Sequence, residues 1–327
     1  MTATLARSDA GGHVPVLLDR VVELLAEAPD GPVVDVTLGA GGHAAAVTAA
    51  RAARHGSARL VGMDRDPEAL ELASRRLAEL AARPDITVDL VRSRSDRLGE
   101  VLDGLGIDHV AAILADLGTS SMQLDRPERG FAHRHEGPID MRMDPDDPIP
   151  ASDLVNDWDV EELTAVLARL GEERFAGRVA RAIVAARPIT TTSELAEVVR
   201  AAIPAATRRS GGHPAARTFQ ALRIAVNDEL AVLERFLDVA IARLAPGGVL
   251  VVLAYHSLED RVVKRAFAEA ARGCVCPADL PVCACGAHAV VELLVRRAEG
   301  VSDAERERNP RSASVRLRAV RRLEVAA

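Results

Sequence analysis

Lysine is almost absent from this chain: Lys264 stands alone beside 40 arginines. With the high alanine content, this reads as a composition bias of the genome, not as a functional signal. Aromatic residues are scarce too, with five Phe, one Trp and one Tyr. That argues against a sheet that binds RNA by stacking bases on rows of rings. No apolar run reaches the roughly 18 residues that a membrane span needs. The first residues, MTATLARSDAGGH, carry one Arg and no apolar core, so no signal peptide is read there. The expectation is a soluble cytoplasmic protein with no membrane partner. Four cysteines in such a chain argue against a disulfide framework. Excess positive charge is lacking as well. The 48 acidic residues outnumber the 41 basic ones, giving a formal −7, which excludes a generally basic nucleic-acid coat. An acidic disordered tail is excluded by a 48% hydrophobic content with dispersed charge.

What is present is a pattern. At 327 residues the chain is long enough for about two domains. Residues 14–28 read as an amphipathic helix. Short apolar strands follow at Val33–Val36, Leu60–Met63, Ile86–Val91 and Val110–Ala115, with helical stretches between them. Continuous apolar strands alternating with helices mean a parallel sheet covered on both faces. The alternation stops after about residue 122. Residues 125–150 are rich in Pro, Asp and Arg, and 153–205 read as helices only, including a Thr191-x-x-Glu194 capping box. One long helix is predicted from Phe219 to Leu244, ended by Pro246-Gly247-Gly248, and Val249–Tyr255 is a fifth strand. The expected organisation is therefore an α/β domain, residues 1–122 and 215–327, interrupted by an inserted all-helical domain at 123–214.

Gly39, Gly41 and Gly42 follow the first strand and open a helix, where glycine lets backbone N–H groups approach a ligand. Asp64 closes the second strand, where a carboxylate can accept both ribose hydroxyl protons. Two nucleotide ligands compete. Gly39-x-Gly41-x-x-Ala44 fits the dinucleotide fingerprint, which would make the chain an NAD(P)-binding oxidoreductase. A phosphate-cradling NTPase loop is excluded, because no Gly-Lys-Ser/Thr follows. Asp35 inside the first strand and Asp116 ending the fourth are carboxylates that hydride transfer does not ask for. S-adenosylmethionine, with its ribose, cationic amine and sulfonium, fits acids at 64 and 116 better.

Longer motifs run through almost the whole chain. They include His13-Val-Pro-Val-Leu-Leu18, Asp35-Val-Thr-Leu-Gly-Ala-Gly-Gly-His43 and Asp64-Arg-Asp-Pro67. Asp116-Leu-Gly-Thr-Ser-Ser-Met-Gln-Leu-Asp125, Arg129-Gly-Phe131 and Gly137-Pro-Ile-Asp-Met-Arg-Met-Asp144 follow. Then come Gly171-Glu-Glu-Arg174, Thr218-Phe-Gln-Ala-Leu-Arg-Ile224, Val226-Asn-Asp-Glu-Leu230, His256-Ser-Leu-Glu-Asp-Arg261 and Asn309-Pro-Arg311. On these residues the chain resembles the bacterial ribosomal RNA small-subunit methyltransferase H family, also called MraW. The resemblance implies a class I (Rossmann-like) methyltransferase fold with a mainly parallel sheet and an inserted helical domain. It implies S-adenosylmethionine as donor and the N4 amine of one cytidine in the decoding region of 16S rRNA as acceptor. By motif position it implies cofactor contacts at Gly41, Gly42, His43, Asp64, Ser95, Asp116 and Gln123. The expected partner is 16S rRNA in the small ribosomal subunit, with a homodimer left open. A non-catalytic ribosome-assembly factor on the same fold is the remaining alternative.

The chain departs from the family in places. Ser95 stands where an aromatic residue is usual, removing a ring that could pack on adenine. Ala254-Tyr255 stand where Ser-Phe usually precede His256. For amine methylation, positioning supplies most of the rate, and an acceptor for one N–H can localise the lone pair. Asp116 is the first candidate for that catalytic role, with cofactor amine binding and capping of the Thr119-Ser120-Ser121 turn as the other readings. Asp140, Arg142 and Asp144 are expected to form a wall between cofactor and base. His256, Glu259 and Asp260 read as a helix first turn. RNA backbone contact is expected from two acid-free stretches, Val198–Asn227 with Arg208-Arg209, and an arm at Arg308–Arg322 holding six Arg. No metal is expected in the active site. Cys274, Cys276, Cys283 and Cys285, with His288 nearby, read either as a zinc knuckle or as a reduced surface loop.

Overall fold

The computed structural model describes residues 15–205, 213–273, 276, 285 and 288–324. Among these, seven strands form one sheet: β1 (Val33–Asp35), β2 (Ala58–Asp64), β3 (Ile86–Arg92), β4 (Val110–Asp116), β5 (Leu244–Ala254), β6 (Val291–Leu293) and β7 (Arg316–Arg322). Their order is β3-β2-β1-β4-β5-β7-β6. Neighbours among β1 to β5 pair in parallel, and β7 runs antiparallel between β5 and β6. A dinucleotide-binding sheet has the order 3-2-1-4-5-6 throughout in parallel. The antiparallel β7 sets this sheet apart from it.

The continuous apolar strands are explained by burial on both faces. Along β4 every residue from Val110 to Ala115 is buried. Because side chains alternate, Ala112 and Leu114 join one core with Val251, Leu253 and Leu317. Ile113 and Ala115 join the other with Val34, Leu250 and Val252. The first core is closed by the helices Leu18–Ala26, Gly42–His55 and Pro67–Ala81, through Leu25, Val47 and Leu77. The second is closed by Leu98–Gly104, Glu229–Arg243 and Ser257–Ala270, through Leu102, Phe236 and Phe267. Arg51, 1% exposed, ends the helix Leu18–Ala26. Its guanidinium donates to the carbonyls of Leu25, Ala28, Pro29 and Gly31 at 2.9, 3.3, 2.7 and 3.0 Å.

The chain divides into two compact units, residues 1–118 with 231–327, and residues 119–230. The second boundary differs from the expected 214/215. The predicted long helix is two helices, Ala216–Asn227 and Glu229–Arg243, broken at Asp228 with φ 50°. The first packs closely on Val160–Gly171: Gln220 donates to the Leu170 carbonyl at 3.1 Å, and Arg217 to Glu172 at 2.6 Å. A Cβ on Gly171 would stand 2.6 Å from the Arg217 carbonyl oxygen.

Within the unit 119–230 the described residues form helices joined by loops, with one bridge between Pro138 and Thr191. The expected capping box at Thr191 and Glu194 is formed. The loop around residues 129–144 lacks periodicity because side chains hold it. Asn227 accepts from the Met143 N–H at 2.8 Å and donates to the Met141 carbonyl at 2.8 Å. Met141 itself has φ 61°.

The C-terminal arginines are not a free arm. Arg316, Arg318, Arg321 and Arg322 lie in β7 inside the sheet, where Leu317 and Ala319 are fully buried, while Arg308 ends the helix Asp303–Arg308 and Arg311 lies in a 3-10 turn. Arg318 makes a two-pronged ion pair with Asp260 at 2.7 and 3.2 Å, and Arg321 pairs with Glu292 at 3.0 Å. Arg208, Arg209, Cys274 and Cys283 lie outside the described residues, and the zinc reading with them. No described helix is long and apolar enough to cross a membrane.

Candidate active site

Parallel strands bring their carboxyl ends to one edge, and in an open α/β sheet ligands bind there. β1 pairs with both β2 and β4, so Asp35, Asp64 and Asp116 come to the same edge. The turn after β1 is fixed by backbone bonds. Leu38 N–H donates to the Met63 carbonyl at 2.9 Å and Gly41 N–H to the Leu38 carbonyl at 2.8 Å. Gly39 and Gly41 have φ 51° and 77°, a region that disfavours side chains. A Cβ on Gly41 would also meet Ala73 at 3.3 Å, whereas above Gly39 nothing lies nearer than the Thr37 carbonyl at 3.9 Å. Gly41 precedes the helix Gly42–His55, which has no side-chain cap and no acid in its first turn. Such an end offers N–H groups and a partial positive charge to an anion.

Asp64 accepts from the N–H of Gly39 and of Asp66, at 2.8 and 2.9 Å. Burial raises its pKa, and those two N–H groups oppose the rise. Asp35 is 3% exposed, and accepts from Thr37 N–H at 3.1 Å. Burial, with Asp116 and Asp64 nearby, pushes its carboxyl up to about 7. Ser95 opens a single 3-10 turn just beyond β3, at the same edge of the sheet, and offers no ring.

Asp116 is held from several directions. Its N–H donates to Thr37 Oγ1 at 2.6 Å. Its Oδ1 accepts from the Tyr255 hydroxyl at 2.8 Å. Its Oδ2 stands 3.5 Å from His43 Nδ1, and His43 Nε2 lies 2.8 Å from the Val16 carbonyl. The expected turn-capping role falls to Ser120, whose hydroxyl accepts from Gln123 N–H at 3.2 Å. Tyr255 is the contact that sequence reasoning missed. The signal was there: the chain's single tyrosine ends the expected fifth strand. Burial and the Asp116 charge raise its pKa well above the ordinary value, so it stays a donor. Its own N–H is fixed by Glu259 Oε2 at 2.8 Å. His256 takes the expected place at a helix start, capping Ser257–Ala270 in a reciprocal pair with Glu259.

The remaining sequence candidates lie in the unit 119–230. Gln123 is 5% exposed, and its carbonyl accepts from Ser120 N–H at 3.2 Å. Asp140 and Arg142 form a bidentate pair at 2.8 and 2.7 Å, which holds the Asp140 carboxyl below its ordinary range despite burial. Arg223, counted with the basic stretch, pairs with Glu229 at 2.8 and 2.9 Å.

The uncapped helix start, the open space above Gly39 and the strand-end acids fit a nucleoside bearing an amino-acid tail. The carboxylate of such a tail suits the N–H groups, its ammonium suits an acid, and its ribose suits Asp64. Comparison with known proteins agrees. The model of the MraW methylase family matches residues 10–323. A protein of Acidothermus cellulolyticus named ribosomal RNA small subunit methyltransferase H is 55% identical over 317 residues, covering 95% of this chain and 94% of its own. Proteins of the same name from Kineococcus radiotolerans and Symbiobacterium thermophilum are 53% and 50% identical, over 97% and 95% of this chain and 81% and 97% of theirs. A glycine turn and strand-end acids on a sheet of this order, matched over nearly the whole length, leave one conclusion: the chain belongs to the MraW methylase family.

Proposed function

We propose that this methylase modifies the N4 amino group of one cytidine in the decoding region of 16S rRNA, acting on small ribosomal subunits in the cytoplasm. S-adenosylmethionine is its methyl donor and supplies an electrophilic methyl group when bound. The observation that carries the reading is Asp116 at the end of β4, fixed by Tyr255 and facing His43.

In this reading Gly41 shapes the turn, the N–H groups of Gly42 and His43 at the helix start bind the donor's carboxylate, and Asp64 accepts its ribose hydroxyls. Ser95 sits on the adenine side. Gln123 is carried over from the motif alone. Asp116 accepts an N–H of the target amine. That amine is a poor nucleophile, because its lone pair is delocalised into the pyrimidine ring. An acceptor on one N–H localises the lone pair, and a fixed acceptor aligns the nitrogen for attack, which supplies most of the rate. The helical unit grips the RNA backbone, with Arg208 and Arg209 as the arginines best suited to phosphate. Arg217, Arg223 and Arg318 are engaged within the fold, so they contribute less to that grip.

The test is transfer of labelled methyl from S-adenosylmethionine to small subunits taken from a strain lacking the enzyme, with the product nucleoside identified by mass spectrometry. N4-methylcytidine at one decoding-region position is the expected product. Label on another base, or none with the wild-type chain, refutes the reading.

A further inference from the structure

Ring chemistry at His43 constrains where protons sit. Nε2 lies 2.8 Å from the Val16 carbonyl oxygen, and a carbonyl only accepts, so Nε2 carries a proton. In a neutral ring Nδ1 is then a bare lone pair. It would face Asp116 Oδ2, also an acceptor, across 3.5 Å. The ring is 6% exposed, so water does little to screen that opposition. One proton between the two atoms turns it into a charge-assisted hydrogen bond. The surroundings favour keeping that proton. Asp35 and Asp64 end β1 and β2 at the same edge, so each of these carboxyls that ionises adds negative charge beside the pair. The other titratable groups around the pair are Tyr255 and Glu259 after β5, Glu305, which accepts from Leu17 N–H, and Arg76 near Gly42. Tyr255 donates to the second oxygen of Asp116, so the carboxylate cannot turn away from His43.

We propose that His43 and Asp116 share one proton and together accept the proton that the target amine releases. This rests on the amine methylation proposed above. The amine lone pair forms the new N–C bond, and the methyl carbon's bond to sulfur breaks with its electron pair left on sulfur. One N–H bond then breaks and its proton passes to Asp116, while the shared proton settles on His43 Nδ1. The positive charge lost at sulfur reappears as an imidazolium beside a neutral carboxylic acid. His43 is thus a proton-holding partner of Asp116, in addition to its backbone role at the helix start.

The test has two arms, both on the full chain. Two-bond proton–nitrogen NMR of protein labelled with 15N in histidine reads the ring directly, with His43→Gln assigning the resonances. At neutral pH the His43 Nδ1 signal is expected away from the bare-nitrogen range and is expected to move in Asp116→Asn and Tyr255→Phe. A bare Nδ1 in the wild-type protein overturns the proposal, whether or not any variant folds. The second arm measures methyl transfer to small subunits against pH. His43→Gln is expected to lose about 10²- to 10⁴-fold in kcat, with a changed pH profile. Its affinity for S-adenosylhomocysteine is expected to stay within about threefold, since the backbone N–H groups remain. Unchanged kcat with an unchanged profile overturns the proposal. Failure of the wild-type enzyme to methylate subunits instead refutes the proposed function, and the nitrogen signals still decide the shared proton.

Discussion

Replacing Asp35 with Asn tests the electrostatics of the strand ends through stability alone. Asp35 is buried, and its carboxyl is pushed from 3.8 up to about 7 by burial, Asp116 and Asp64. Its proton is therefore held more tightly in the folded chain than in the unfolded one. Such a group favours folding most below about pH 4, and the advantage is lost as pH rises through about 7. Between pH 5 and pH 8 this linkage removes about 2.5 kcal/mol from the wild-type protein. The amide of Asp35→Asn would have no proton to lose, while its carbonyl keeps the bond that Asp35 Oδ1 accepts from Thr37 N–H at 3.1 Å. In a unit of about 200 residues, that difference corresponds to about 5–10 °C in Tm. Thermal unfolding of both proteins at pH 5 and pH 8, without ligand, makes the comparison. Asp35→Asn should gain on the wild type by that amount as pH rises. An advantage equal or smaller at pH 8 refutes the argument that Asp35 is an unwelcome charge.

Other substitutions probe the scaffold and the turn. Arg51→Met strips four carbonyls of their donor and should lower unfolding free energy by about 3 kcal/mol, measured by urea titration; a loss under about 1 kcal/mol would show that water takes over those carbonyls. Asn227→Ala leaves the Met143 N–H and Met141 carbonyl without their side-chain partner, and should destabilise by about 1–3 kcal/mol; a neutral result in the same titration would contradict the clamp. In Gly42→Ala the new Cβ would fall 2.6 Å from Pro15 Cγ and 3.0 Å from Arg76 Nη1, so the turn must shift. Calorimetry with S-adenosylhomocysteine should show about tenfold weaker binding, roughly 1.4 kcal/mol, and unaltered affinity would detach this turn from the cofactor.

The centre of the sheet was legible because β1, β2 and β4 carry apolar runs that each close on an acid. A run such as Val110–Ala115 closing on Asp116 has few other meanings in a globular chain. The link between Asp116 and Tyr255 was not legible. It depends on β4 and β5 lying side by side, with Asp116 opposite Leu253, and no local pattern encodes a pairing 139 positions apart. The break at Asp228 escaped for another reason. Phe219, Leu222 and Val226 continue the same helical stripe as Leu230, Leu233 and Leu237, so periodicity passes through a residue whose backbone turns left-handed. At Arg308–Arg322 charge obscured an alternation that was present. Leu317 and Ala319 are buried and alternate with Arg316 and Arg318, a strand pattern inside what composition alone presents as a basic arm.

The position of β7 gives the sheet an order of completion. Residues 316–322 follow every other described strand, yet they lie between β5 and β6. Until they arrive, β5 has an open edge and β6 has no strand to pair with, and an open apolar edge invites wrong partners. β5 also leads into Tyr255 and so into the support of Asp116. During synthesis, the Asp116 carboxylate therefore gains a complete sheet behind it only after the other described strands have been made. A nascent chain that halts before residue 316 would carry every acid of the site and still lack the strand that closes the edge beside them.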